Sequence, residues 1–130
     1  MQINGWQLYR KQAKSVGYAS YSNRLVVIVV HGIRGQQLHL PHKALSVLGR
    51  PKLIRLYTCG TAIGLNPVAQ RTDPHAYRVK EWQLLDGKYC GNLYISKCLK
   101  ERGVAEGVYP CRLKGGILFF DQASEPERIA

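Results

Sequence analysis

Residues Gln37 to Tyr57 read QLHLPHKALSVLGRPKLIRLY, and the order of residue types in that stretch decides the fold. Leu38 and Leu40 alternate with Gln37 and His39, the period-two pattern of a strand with one face inward. Pro41 cannot donate to a β-ladder, but it suits the first turn of a helix. Ala44, Leu45 and Leu48 then recur at helical spacing and make one apolar stripe. Gly49 fits the left-handed position just past a helix end, and Pro51 stops the helix. A strand over 52–58 follows, and TCGTA turns the chain into another over 62–66.

The same order returns further along the chain. NLYI (92–95) reads as a strand, and Ser96 as the N-cap of a short helix carrying Cys98 and Leu99 that Gly103 ends. A strand over 108–113 then passes through Gly115-Gly116, a strong hairpin signal, into a strand over 117–121. With an offset of 55, Leu38 matches Leu93, Leu40 matches Ile95, Ile54 matches Tyr109, Gly60 matches Gly115 and Leu65 matches Phe120. The helix needs an offset of 54, hence one insertion or deletion. Strand–helix–hairpin thus occurs twice, an internal duplication.

Two such units can interleave about a pseudo-two-fold axis, which would close a barrel and hide most sheet edges. The expected fold is therefore β-rich α+β: a small closed barrel from two duplicated strand–helix–hairpin units, with an N-terminal extension. One domain is expected over 1–121, with the extension at 1–24, half-units at 37–67 and 92–121, and a flexible polar tail at 122–130. LVVIVV (25–30) is a buried strand. Tyr18 to Ser22 reads as a strand, and Trp6 to Lys14 as either strand or helix. The connector 67–90 carries a strand at 76–80 and another near 81–85.

LHLP, followed by ALxxLG on a short helix and then a hairpin, resembles the half-unit of the AbrB/SpoVT swapped-hairpin family. The resemblance covers 37–67 and 92–121. It implies interlocked halves, DNA binding and a role in transcriptional control, with a homodimer as one assembly. That family carries Gly-Arg before the strand and an arginine on the helix. Here Gln36 and Gln37 precede the apolar core of the strand, and Leu45 and Ser46 occupy the helix. In the second unit Ser96 replaces the proline, while Lys97, Lys100 and Arg102 make the helix basic.

Charge points the same way. The 130-residue chain carries a formal +11, and residues 1–72 hold ten Lys or Arg with no Asp or Glu. Residues 73–130 hold nine basic and eight acidic side chains. Such a segregated charge suggests a polyanionic partner, most commonly nucleic acid, with DNA expected ahead of RNA. The alternatives are a charge that serves solubility, or docking on an acidic protein around Tyr57 or Tyr109.

The expected phosphate contacts are Arg34 with Lys43, Arg50, Lys52 and Arg55 after the first helix, and Lys97 and Lys100 on the second. Arg10, Lys11 and Lys14, interleaved with Tyr9 and Tyr18, read as a basic arm or as a strand packed on the barrel. His39 and His42 form the one close histidine pair, but no cysteine or carboxylate lies near them in sequence to complete a metal site. Cys59, Cys90, Cys98 and Cys111 lack CxxC spacing and read as free thiols. No catalytic fingerprint is present, and neither an enzyme nor a cofactor is expected. No apolar run approaches the length of a membrane span, and the N-terminus lacks a signal-peptide layout, so a cytoplasmic setting is expected.

Overall fold

The β-branched run after Leu25 forms an interior strand of one sheet. In the computed structural model, which describes residues 2–7, 19–69 and 72–129, this strand is β3 (Val26–Gly32). Val27 and Val29 point to one side and Val26 and Ile28 to the other, and all four are buried. A continuous apolar run is what a strand covered on both faces requires.

The remaining elements follow in order: β4 (Gly35–Leu40), α1 (His42–Val47), β5 (Leu53–Cys59), β6 (Ala62–Val68), β7 (Ala76–Arg78), β8 (Lys80–Gln83), β9 (Tyr89–Tyr94), α2 (Ser96–Glu101), β10 (Gly107–Pro110), β11 (Arg112–Lys114) and β12 (Ile117–Asp121). Before them, β1 (Gln2–Ile3) and β2 (Trp6–Gln7) make a small hairpin. The strands form two five-stranded antiparallel sheets, ordered β10-β3-β4-β9-β8 and β11-β12-β6-β5-β7.

Registers in the two halves are related. Leu38 pairs with Leu93 at the centre of β4–β9, and Gly64 pairs with Phe119 at the centre of β6–β12. Both pairs join residues 55 apart, so one pseudo-two-fold axis passes through both sheets. The β5–β6 and β11–β12 hairpins keep the same offset. β10 lies against β3 and β7 against β5, so the second half supplies an edge strand to the first half in both sheets.

The expected closed barrel is not what forms. At Val79, between β7 and β8, and at Cys111, between β10 and β11, the chain leaves one sheet and enters the other. The Val79 amide donates to the Lys52 carbonyl and the Cys111 amide to the Leu25 carbonyl, and on either side of these residues the ladder partners change. The ladders therefore break at both corners, leaving two facing layers.

Between the layers sit Val27, Val29, Leu38, Leu40, Leu93 and Tyr109 from the first sheet and Ile54, Ile63, Leu65, Leu118 and Phe120 from the second. Leu45 of α1 and Leu99 of α2 are buried in the same core. α1 comes close to β9 because Gly91 has no side chain: a Cβ there would lie 3.6 Å from Leu45 Cδ1 and 2.8 Å from Val79 Cγ1. Gly49 takes the expected left-handed conformation after α1 (φ +78°).

Three local expectations are corrected. Residues 20–23 form a turn rather than a strand, with the Arg24 amide donating to the Tyr21 carbonyl at 3.0 Å. Ser96 is the first residue of α2 and not its cap; its Oγ accepts from the Gln36 amide at 3.2 Å. The tail expected to fray folds back, and Glu127 exchanges two backbone hydrogen bonds with Val108.

Candidate nucleic-acid interface

The segregation of charge along the chain is partly undone by folding. Arg24 makes a forked pair with Glu127, its closer bond 2.6 Å. Arg55 pairs with Asp73 at 2.6 Å, and Arg50 pairs with Glu81 while its guanidinium lies 3.8 Å above the Tyr89 ring. Each acid comes from the second half and each base from the first. The Asp73 side chain is almost fully covered, and its bond to Arg55 holds the carboxyl below its ordinary range.

The expected contacts consequently scatter. Arg10, Lys11 and Lys14 lie outside the described residues. Arg34 is exposed on the β3–β4 turn beside the fully exposed Ile33, and Lys43 is exposed on α1. Lys97 and Lys100 are exposed on α2, with Lys97 3.9 Å from Glu101. Arg50 and Arg55 are held by carboxylates, so of the cluster after α1 only Lys52 has no ion pair among the described residues.

What the fold does bring together is a partly different set. Arg50, Lys52 and Leu53 face Arg78 and Glu81 across a cleft of about 920 Å³. Arg78 also lines a neighbouring hollow with Tyr77, Lys80 and Tyr94. From Arg78 the surface continues onto the outer face of the second sheet. There Arg112, Phe119, Gly64 and Tyr57 stand in one row across four strands, set by the pairs Arg112–Phe119, Phe119–Gly64 and Gly64–Tyr57. Tyr57 is 43% exposed. Lys114, Ile117 and Phe119 share a shallow apolar groove of about 330 Å³ with Tyr57 and Gly64.

Sequence reasoning missed Arg78, Lys80, Tyr94, Arg112, Lys114 and Phe119. A signal existed in the alternation of RLK and ILFFD about Gly115-Gly116, which puts Phe119 and Phe120 on opposite faces. Which face looks outward depends on the partner sheet. Tyr109, once a candidate for an exposed interface, is fully buried and donates its hydroxyl to the Ala105 carbonyl at 2.6 Å.

No family model, curated protein or solved structure matches this chain. The likeness to the AbrB/SpoVT half-unit therefore rests on the quoted residues alone.

His39 and His42 are engaged within the protein. His39 is 1% exposed and its Nδ1 donates to Asn92 Oδ1 at 2.8 Å; Asn92 in turn donates to Gln37 Oε1 at 2.7 Å. Burial pushes the His39 imidazole down to about 4, so it is neutral at pH 7. His42 Nδ1 donates to the Tyr89 carbonyl at 3.1 Å. Among the described residues no three metal-ligating side chains converge. The four cysteines are free, and burial pushes the thiols of Cys90 and Cys111 up to about 12, opposite to an activated nucleophile. Among the described residues no helix is long and apolar enough to cross a membrane.

Proposed function

We propose that this protein is a non-enzymatic nucleic-acid-binding module working in the cytoplasm, with DNA the first polymer to test. The observation that supports it best is a pair of exposed cation groups, Lys52, Arg78 and Lys80 around the cleft beside α1 and its neighbouring hollow, and Arg112 and Lys114 on the opposite edge strand of the second sheet. Cations at strand ends and turns can each meet a phosphate without desolvating a partner. The overall +11 charge adds long-range attraction. Four free thiols suit a reducing compartment.

The test is binding of a labelled random duplex and a labelled random single strand across a salt series. About five phosphate contacts give a log–log slope of roughly −3.5 for a single strand and −4.5 for a duplex. Affinity should then fall on the order of one-hundred- to five-hundredfold between 50 and 200 mM salt. A triple reversal, Lys52→Glu, Arg78→Glu and Lys80→Glu, should flatten the slope. Absence of binding at low salt would reject the proposal and favour an acidic protein as the partner.

A further inference from the structure

We infer that the outer face of the second sheet is a stacking platform for single-stranded nucleic acid, centred on Tyr57 and Phe119. The inference rests on the nucleic-acid reading above and names the form of polymer and the side chains that hold its bases.

Gly64 is the first observation. It lies in the middle of the central strand β6 without a positive φ, so no backbone requirement selects glycine there. Its role is spatial. A Cβ at Gly64 would lie 2.8 Å from Ile117 Cγ2 and 3.9 Å from Tyr57 Cβ, so glycine leaves room for the Ile117 side chain in the groove between the two aromatic strands. Glycine inside a strand marks a place of close approach, here that of Ile117, which gives the groove an apolar floor.

The walls supply the second observation. Tyr57 and Phe119 both pair with Gly64 from opposite sides, so they stand two strands apart, about 10 Å. An aromatic face is complementary to an unstacked base, whose own faces are apolar and planar. In a duplex those faces are hidden in the stack and cannot lie against an aromatic ring.

Charge completes the fit and selects the occupant. Arg112 ends the aromatic row, and Lys114 lines the groove itself. Arg55 lies on the same face in the adjacent row of β5, with its carboxylate partner Asp73 beneath cover. A planar apolar group joined to an anionic chain satisfies both features, and a single-stranded nucleic acid is a polymer of such units.

The probe is a 12-nucleotide oligo(dT), compared with a 12-base-pair duplex and a random glutamate–tyrosine copolymer, at one salt concentration. The protein should bind oligo(dT) more tightly than the duplex. Tyr57→Ala should weaken oligo(dT) binding by roughly five- to one-hundredfold, as the loss of one stacked base does, while Tyr57→Phe should keep it. Phe119→Ala should act likewise, with its fold checked by circular dichroism. If oligo(dT) and duplex bind equally and Tyr57→Ala changes neither, the platform is rejected while the phosphate-binding proposal stands. If only the acidic copolymer binds, and through Tyr57, the face is a protein-docking site and both readings are rejected. Absence of any binding also rejects both.

Discussion

The two sheets share a fold plan and a pseudo-symmetry axis, yet they differ in what covers them. Along β10 and β3 the first sheet is buried on both faces, while Lys80 and Tyr94 stay exposed at its β9–β8 end. Its inner face meets the core, and on its outer face Tyr21, Val26, Ile28 and Val108 form a second apolar cluster with Val30 and Ile129 against it. The turn at 20–23 and the tail around Glu127 supply that cover, and the Arg24–Glu127 pair joins the two segments. On the outer face of the second sheet Tyr57, Arg112 and Lys114 are exposed and Ile117 and Phe119 half-buried. The β10–β3 end of one sheet spends its outer face on stability, and the second sheet keeps aromatic and cationic groups within reach of a partner.

This difference can be broken most forcefully at Ile28. Ile28→Ala removes a fully buried side chain from the outer cluster of the first sheet and should cost about 2–5 kcal/mol in a denaturant titration. Tyr57→Ala, on the outer face of the second sheet, should change stability by only about 0.5 kcal/mol. Equal losses at both positions would mean that the second outer face is also covered.

Acid should act on the first sheet next. His39 titrates at about 4 in the folded protein, against about 6.5 in an unfolded chain. Between those values the unfolded state binds the extra proton. Stability is therefore fully present above pH 6.5 and falls as the pH drops towards 4, by up to roughly 3 kcal/mol. Unfolding midpoints at pH 7.5, 5.5 and 4.2 should show the decline, and His39→Gln should remove that part of it.

Displacing the cover is a subtler intervention. Gly107 has φ +152°, and a Cβ there would come 2.5 Å from Pro126 Cβ. Gly107→Ala should push the tail from the sheet and cost about 1–3 kcal/mol, as overpacking does. Amide exchange at Val108 and Glu127 should rise. Smallest of all, Glu127→Gln should lower the melting temperature slightly, and only at low salt, because the pair it breaks is exposed.

Much of the fold was legible because local chemistry specified it. Pro41 and Gly49 bracket α1, and Gly115 and Gly116, at φ +59° and +80°, turn β11 into β12. The offset of 55 was legible too, and it reappears in the register of both central strand pairs. The breaks at Val79 and Cys111 were not, since each depends on one residue leaving its ladder under the packing of distant strands. Tyr18 to Ser22 reads as strand-like because of Tyr18 and Tyr21, but Tyr21 is needed as a cover for β3.

The site was less legible than the fold. A count of charges shows the basic first half but not the carboxylates that return to it, from 18 residues away for Asp73 and 103 for Glu127. Arg50 and Arg55 look like free cations in the sequence and are tethered in the structure. Arg112 and Lys114, in the balanced half, are exposed on the bare sheet.

The most direct test of the central claim is a map of amide and aromatic NMR shifts as oligo(dT) is added. The bare-sheet account predicts shifts concentrated at Tyr57, Gly64, Arg112, Lys114 and Phe119, with residues 26–30 and 108 unmoved. Shifts confined to the first sheet, or none at an oligonucleotide concentration well above the protein's, would contradict it.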